Sequence, residues 1–289
     1  MFKHLIRRAS TVMEALPYLM KFNGKTIVIK YGGAAMENPE LKNAVMRDVV
    51  LLKYVGMNPI IVHGGGPDIN RFLKRRKIDI KFIKGLRVSS KEVMQVVEHV
   101  LGNRINSEIV SLLKKNGGKA KGFFGKKGKV IRARKKWLKG DNGELIDLGF
   151  TGEVAGIKYR FLQKWMKMGY IPVISPIAVG PGGKTYNINA DSAASAIAEQ
   201  LKAAKLILMT NVRGVLDKDE NLISKINAVK ASSMIKSKHI TGGMIPKINS
   251  SLAALKKGVG TVHIIDGRIP HAVLLEIFTD HGIGTMVVK

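Results

Sequence analysis

The stretch that decides the fold is TIVIKYGG, residues 26–33, an apolar, β-branched run followed by a lysine, a tyrosine and two glycines. The run predicts a buried strand, and the glycines predict a turn after it. A lysine at the carboxyl end of a parallel strand, beside glycines that let backbone N–H groups approach an anion, suits phosphate or carboxylate binding. We therefore expect an anion site where this strand ends.

A second turn of the same kind follows the next predicted strand. It reads HGGGPDIN, residues 63–70, and leads from a strand through glycines into a helix. Three consecutive glycines lose more backbone entropy than a structural turn requires, which favours a role in making room for a ligand. Because the two strands are expected to be neighbours, both turns would lie at one edge of the sheet and form one site.

Short apolar runs alternate with longer helical patterns along the chain. Strands are predicted at 26–31, 59–63, 171–175, 206–210 and 262–266, and helices at 39–55, 91–113, 190–201 and 243–257. This alternation predicts an α/β fold with a mainly parallel sheet covered by helices on both faces. Residues 119–154 carry shorter alternating pieces, which predict hairpins at an edge of that sheet.

The composition excludes several classes of protein. The 289 residues include no cysteine, which excludes disulfide frameworks, thiolate metal sites and a cysteine nucleophile, and fits a reducing cytoplasm. No apolar run approaches the ~18–20 residues that span a bilayer, so we expect no membrane segment. The histidines show no metal-ligand spacing, so Mg²⁺ carried by a nucleotide is the only metal expected.

The charge is strongly positive: 49 Lys and Arg against 21 Asp and Glu give +28. Residues 114–139 contain twelve of these basic residues and no acidic one. Such a field attracts polyanions, and a nucleic-acid surface is one interpretation. Few aromatic residues lie among the lysines to stack on bases, which favours the alternative, a lysine-rich composition on solvated faces.

One motif points away from its usual function. Residues 178–185, AVGPGGKT, fit a loose phosphate-loop pattern. A true phosphate loop opens a helix at its Lys-Thr pair, because the helix N-terminus holds the phosphate. Here Lys184 and Thr185 are followed by a segment typical of a strand, so we predict a hairpin.

Residues 1–22 form an amphipathic segment. Its apolar residues recur at three- and four-residue steps opposite basic ones, which predicts a helix. Three roles are open at this point: a targeting or membrane-surface helix, a helix that docks on another subunit, and a helix packed on the core of its own subunit.

Five motifs together resemble the amino acid kinase family, in particular its members that phosphorylate N-acetyl-L-glutamate. In order, they are KYGG (30–33), VHGGGP (62–67), GLRV (85–88), YNINAD (186–191) and GGMIPK (242–247). The resemblance implies a three-layer α/β/α sandwich with a mainly parallel sheet and an added N-terminal helix (1–22). It also implies an N-lobe (23–202) that binds N-acetylglutamate and a C-lobe (203–289) that binds ATP with Mg²⁺.

The same resemblance implies a role for each matching residue. Lys30 and Lys247 would be catalytic and stabilise charge on the transferring phosphoryl group, with Asp191 holding both lysines in place. Acetylglutamate would be bound by Gly65, Gly66, Arg87 and Asn187. The nucleotide site would be lined by Gly33, Asn211, Val212, Arg213, Gly214, Val215, Leu216, His239, Ile240 and Thr241.

Some members of the family are inhibited by arginine, and in them an N-terminal helix pairs dimers into a hexameric ring. Residues 1–22 look like that helix, and the tail is similar to the arginine-site stretch of those enzymes. The resemblance therefore implies a homo-oligomer, a dimer that assembles further into a hexamer, with arginine as inhibitor. The implied effector residues are Glu276, Gly284 and His271.

The chemistry of such a reaction suits this set of residues. A γ-carboxylate acceptor is already ionised at pH 7, so no general base is needed. Bringing it up to a polyphosphate requires lysines, backbone N–H groups and Mg²⁺. Two alternatives stay open: a kinase for acetylaminoadipate, which is longer by one methylene, and a nucleic-acid-binding protein that has lost catalysis.

Overall fold

The computed structural model describes residues 2–140, 142–280 and 282–289, without the side chains of His4 and Arg8. The helices are α1 (Phe2–Phe22), α2 (Pro39–Tyr54), α3 (Gly66–Arg75), α4 (Lys91–Val97), α5 (Asn106–Lys115), α6 (Tyr159–Lys167), α7 (Ala190–Leu201), α8 (Ala228–Lys236), α9 (Met244–Lys256) and α10 (Ala272–Phe278). The strands are β1 (Thr26–Tyr31), β2 (Asn58–His63), β3 (Phe82–Ile83), β4 (Leu86–Arg87), β5 (Ala120–Phe123), β6 (Ile131–Lys139), β7 (Leu145–Ile157), β8 (Ile171–Ile174), β9 (Ile177–Val179), β10 (Thr185–Asn187), β11 (Lys205–Thr210), β12 (Lys225–Ile226), β13 (Thr261–Asp266) and β14 (Thr285–Val287).

The central sheet has eight strands in the order β12-β14-β13-β11-β1-β2-β8-β5. All neighbours from β13 to β5 are parallel, whereas β14 runs antiparallel to β13 and carries β12 beside it. Along β1, Ile27 and Ile29 face one hydrophobic cluster and Val28 faces another, so both faces of the sheet are buried under helices. The predicted three-layer α/β/α sandwich is confirmed.

The five predicted strands all form, with ends shifted by at most a residue. The prediction for residues 119–154 is right about hairpins and wrong about their place. Of the described residues in this range, those of β5 join the edge of the central sheet, while β6 and β7 pair with β9 and β10 in a second, closed four-stranded sheet. An alternating pattern shows that one face of a strand is buried, but it does not show which of the two sheets the strand joins.

The helical predictions hold with one irregularity. The helix expected at 91–113 extends to Lys115 and contains a π-helical segment, Glu98–Ile105, between α4 and α5. The phosphate-loop-like segment is a hairpin turn between β9 and β10, and the next helix begins only at Ala190. Within the described ranges, no helix combines the length and apolar character that a membrane span requires.

Helix α1 projects from the domain. Its apolar stripe lies open to solvent, with Ile6 62% exposed, Val12 68% and Met13 63%. Among its described side chains, those of the last turns pack on the body of the protein, where Tyr18 meets Phe278 edge to face. The interpretation of α1 as a helix packed on the core of its own subunit therefore fits its last turns, with Phe22 in the core, and does not fit its exposed apolar stripe.

Strand β2 ends in a buried histidine that fixes the start of the glycine turn. The Asn106 amide nitrogen donates both to the Val173 carbonyl and to His63 Nε2, so the other ring nitrogen of His63 carries the proton and donates to the Gly64 carbonyl. Burial lowers the pKa of His63 to about 4, against the raising effect of that carbonyl. His63 is thus a neutral, packed histidine.

This neutral state predicts a pH dependence of stability. Unfolded His63 takes up a proton below its ordinary pKa of 6.5, whereas the folded side chain resists protonation down to about pH 4. Between pH 6.5 and 4.5 the free energy of unfolding should therefore fall by about 2–3 kcal/mol on account of this residue.

Urea unfolding at the two pH values measures the effect. His63→Gln should flatten the difference by that amount, whereas His99→Gln at an exposed position should keep the wild-type difference. Equal pH dependence in the wild type and His63→Gln would contradict the neutral, buried state of His63.

Candidate active site

The two glycine turns meet at the carboxyl end of the central sheet. Strands β1 and β2 are paired in register up to Tyr31 and His63, and the Gly64 N–H donates to the Tyr31 carbonyl at 2.8 Å. A cleft of about 310 Å³ opens beside them, and residues of α7 and of the β3–β4 hairpin complete its walls. The expectation of a single site from the two turns is confirmed as to their position.

A largely buried carboxylate, 16% exposed, lies between two lysines at this cleft. Asp191, in the first turn of α7, has Lys30 Nζ 3.1 Å from Oδ1 and Lys247 Nζ in contact with Oδ2. Helix α7 is held at its start by Asn189, whose side chain accepts from the Ser192 N–H. The ends of β1, α7 and α9 thus converge on one carboxylate, as the sequence resemblance implied.

The electrostatics of this cluster favour an anionic ligand. Burial alone would raise the pKa of Asp191, but the charges of Lys30 and Lys247 outweigh it and the pKa is lowered. Burial lowers the pKa of Lys30, with Asp191 opposing that shift. Two ammonium groups and one carboxylate carry a net positive charge, so a further negative group is attracted to them.

Arg87, at the end of β4, also lines the cleft. Its guanidinium stacks on Phe82 at 4.7 Å, and Nη2 donates to the Asn70 side-chain oxygen at 2.6 Å. The other terminal nitrogen, Nη1, is buried and has no hydrogen-bond partner among the described residues. A buried, unsatisfied guanidinium N–H is costly, and a ligand carboxylate would satisfy it.

The two predicted glycines of the second turn differ in their surroundings. Gly65 has a φ of +149°, and a β-carbon there would lie 2.5 Å from both Ile105 and Leu101. Gly66 has open space around it. The close packing of Ile105 and Leu101 therefore requires a glycine at position 65, whereas Gly66 leaves room in the cleft.

The residues predicted to bind the nucleotide are not all placed at the cleft in the described part of the chain. Gly33 lines the cleft, and the turn that follows it is tied to Asn211, whose side chain accepts from the Ala34 N–H at 2.6 Å. The remaining predicted residues of this group do not line the cleft in the part of the chain that the structure describes. Some are exposed beyond β11 and before α9, namely Val212, Arg213, His239 and Thr241, and some are buried, namely Gly214, Val215 and Ile240.

The three residues predicted to bind the arginine effector lie in different surroundings. Glu276 lines a cavity of about 390 Å³ together with Tyr18, Lys21 and Phe22 of α1. His271 instead pairs with Asp48 of α2 at 2.6 Å. Gly284 packs against β13, where a β-carbon would lie 2.2 Å from the Ile264 carbonyl oxygen. The glycine that lines the cavity is Gly282.

Sequence reasoning missed several residues of the cleft. Asn70 orients Arg87, and Thr151, on β7, lies in the wall between Arg87 and Asn187. Asn70 is the last residue of the HGGGPDIN segment, but nothing in that motif marks it as a partner of Arg87, and no local pattern marks Thr151. Among the described residues, no three side chains of His, Cys, Asp and Glu come together as a metal-binding group.

Comparison with known proteins shows the family of the chain. Residues 25–266 match the amino acid kinase family. An acetylglutamate kinase from Caldicellulosiruptor bescii is 53% identical over 285 residues, covering 98% of this chain and 97% of that protein. Another from Acinetobacter baumannii is 49% identical over 290 residues, covering 99% and 96%.

A solved structure shows the same architecture in a longer protein. The N-acetylglutamate synthase from Neisseria gonorrhoeae, complexed with coenzyme A and N-acetyl-glutamate, superposes with a TM-score of 0.87 at 26% identity, covering 97% of this chain and 63% of the other. The family match and the full-length relatives carry the conclusion that the motifs first suggested: this chain belongs to the amino acid kinase family.

Proposed function

We propose that the protein transfers the γ-phosphoryl group of ATP to the γ-carboxylate of N-acetyl-L-glutamate, giving N-acetyl-L-glutamyl 5-phosphate and ADP, a step of arginine biosynthesis. The observation that carries the proposal is the Lys30–Asp191–Lys247 cluster, of which Lys30 and Asp191 line the same cleft as Arg87 with its unsatisfied guanidinium nitrogen. Relatives that cover nearly the whole chain and are named acetylglutamate kinase support it.

The reaction needs charge neutralisation and alignment. A carboxylate oxygen forms a bond to the γ-phosphorus while the bond from that phosphorus to the β,γ-bridging oxygen breaks, and no proton has to move. Lys30 and Lys247 would stabilise the negative charge on the transferring group, and Asp191 would hold their ammonium groups in place. Arg87 would grip the α-carboxylate of the acceptor, with Gly65, Gly66 and Asn187 around its remaining polar groups.

ATP would approach from the C-terminal side, past Gly33, Asn211–Leu216 and His239–Thr241, with Mg²⁺ bound to its phosphates. The tie between Asn211 and the turn after Gly33 supports this placement, because it joins the proposed nucleotide side to the cleft. The division into an N-lobe (23–202) and a C-lobe (203–289) belongs to the same proposal.

The main test is a coupled ADP-release assay with MgATP and each of N-acetyl-L-glutamate, glutamate, aspartate and N-acetylaminoadipate. We expect turnover with N-acetyl-L-glutamate far above the rest. Lys30→Ala and Lys247→Ala should each lower kcat by about 100-fold or more, because each removes a charge that faces the transferring group. Lys184→Ala, in the phosphate-loop-like hairpin, is the matched control and should retain activity within about twofold.

Absence of turnover with every acceptor, from a folded wild-type protein, would overturn the proposal. Preference for N-acetylaminoadipate would instead assign the longer substrate.

The two glycines of the second turn give a matched pair of variants. Gly65→Ala should lower the melting temperature, because its β-carbon meets Ile105 and Leu101 and its φ of +149° is strained for any other residue. Gly66→Ala should leave the melting temperature unchanged and raise the KM for acetylglutamate, because its methyl group occupies open space at the cleft. Thermal unfolding and initial-rate kinetics distinguish the two, and identical effects of both variants would contradict this assignment.

We also propose that arginine inhibits the enzyme by binding between α1 and α10, and that the chain forms a hexamer from dimers joined through α1. The cavity beside Glu276 offers a buried carboxylate for a guanidinium, and α1 forms its other wall. Burial acts to raise the pKa of Glu276, but hydrogen bonds from His263 and the Ile283 N–H keep it below its usual value. The exposed apolar stripe of α1 supports a helix-to-helix contact between dimers.

Arginine titration and light scattering test this regulatory proposal. Wild type should lose activity in millimolar arginine, and Glu276→Gln should keep basal activity and lose the inhibition. Glu153→Gln, which removes a surface carboxylate paired with Arg134, is the control and should stay sensitive. Val12→Asp with Met13→Asp should reduce the molecular mass to that of a dimer. A dimeric wild type without any response to arginine would contradict the proposal.

A further inference from the structure

A chain of buried hydroxyl groups joins two side chains of the cleft. The Asn187 amide nitrogen lies 3.4 Å from Ser89 Oγ, Ser89 Oγ lies 3.0 Å from Thr151 Oγ1, and Thr151 Oγ1 lies 2.5 Å from the Arg87 carbonyl. Ser89 is fully buried and Thr151 is 5% exposed. The chain therefore connects Asn187 to Arg87 without passing through bulk water.

The donors and acceptors fix the direction of this chain. The Arg87 carbonyl can only accept, and Thr151 Oγ1 at 2.5 Å is a much closer donor to it than Ser89 Oγ at 3.5 Å, so Thr151 gives its single proton there. The Thr151 oxygen is then free to accept from Ser89, and the Ser89 oxygen accepts from the Asn187 amide. Each hydroxyl donates once and accepts once, and bonds ordered in one direction polarise one another.

Backbone contacts hold the two hydroxyls in place. The Ser89 N–H donates to the Leu148 carbonyl at 3.0 Å, and the Phe150 N–H donates to the Ser89 carbonyl at 2.7 Å. Thr151 of β7 is paired directly with Asn187 of β10. The segment after β4 is thus fastened to the second sheet, and the hydroxyls are set by two strands rather than by a mobile loop.

Arg87 is in this way held from two sides. Asn70 accepts from Nη2 at the guanidinium, and Thr151 donates to the carbonyl at the backbone. Nη1 of Arg87, which lines the cleft, has no hydrogen-bond partner within the described ranges of the chain. Any shift of the backbone at Arg87 would move this nitrogen relative to Asn187.

We propose that Ser89 and Thr151 are positioning residues for the acceptor substrate: their hydroxyl chain sets the separation of Arg87 and Asn187, and hence the fit of acetylglutamate. This inference rests on the proposed function, since it assigns the chain to the acceptor side of that reaction. It predicts that breaking the chain weakens acetylglutamate binding and leaves ATP binding alone.

A matched pair of serine variants tests the first link. Ser89→Ala removes a hydroxyl of the chain, and Ser195→Ala removes a buried hydroxyl that has no hydrogen-bond partner in the described part of the protein. Ser89→Ala should raise the KM for acetylglutamate about tenfold, the loss expected for one buried hydrogen bond with its alignment, and change the KM for ATP less than about twofold. Ser195→Ala should change neither KM.

Thr151 tests the second link. Thr151→Val keeps the shape and removes the hydroxyl, so it should act like Ser89→Ala, and Thr151→Ser restores the hydroxyl and should return the KM to within about twofold of wild type. Because the hydroxyls act as one chain, the Ser89→Ala/Thr151→Val double variant should be no worse than the worse single variant. If Thr151→Val does not fold, the KM values of Ser89→Ala and Thr151→Ser still test the proposal.

The outcomes separate this inference from the proposed function. A wild type without turnover on acetylglutamate overturns the proposed function and the inference with it. An active wild type whose Ser89→Ala variant keeps its KM for acetylglutamate, or raises the KM for ATP equally, overturns the inference alone. A merely structural role would lower the amount of folded enzyme, seen as a lower kcat and melting temperature, with both KM values unchanged.

Discussion

The site depends on one electrostatic constraint, the neutralisation of a largely buried carboxylate by two lysines. Asp191 lies at the start of α7, while Lys30 and Lys247 come from opposite ends of the chain. Removing either lysine would leave charge buried with less compensation, which a folded protein tolerates poorly. The sheet order explains how the three meet: β1 is central, and the turns after it and the first turns of α7 and α9 converge on its carboxyl end.

The acceptor side of the cleft obeys a different constraint, the satisfaction of buried hydrogen-bonding groups. Arg87 stands at the end of a two-stranded hairpin that has few contacts of its own, and its position is set by Asn70, Phe82 and Thr151. These groups lie on three separate elements. An arginine presented in this way keeps one nitrogen unsatisfied until a ligand arrives, so binding energy is available at the point where specificity is required.

The outer surface carries features that the cleft does not explain. The chain has a net charge of +28, and α1 exposes an apolar stripe. Exposed lysines are compatible with a solvated surface, since long side chains keep their charges in water. An exposed apolar helix face is different, because apolar area in water is unfavourable and favours association. The positive charge is therefore a feature of composition, whereas the exposed apolar stripe of α1 favours binding to a partner.

The sequence by itself determined the α/β class, the five inner strands of the central sheet and the two glycine turns, because these follow from local periodicity and backbone freedom. It also indicated Lys30, Asp191 and Lys247, each beside a recognisable motif. Only the tertiary structure decided that β6 and β7 belong to the second sheet and that His271 pairs with Asp48. It also decided that Asn70 and Thr151 form hydrogen bonds with Arg87. These outcomes rest on contacts between segments far apart in the chain, and such contacts leave no periodic signal in either segment.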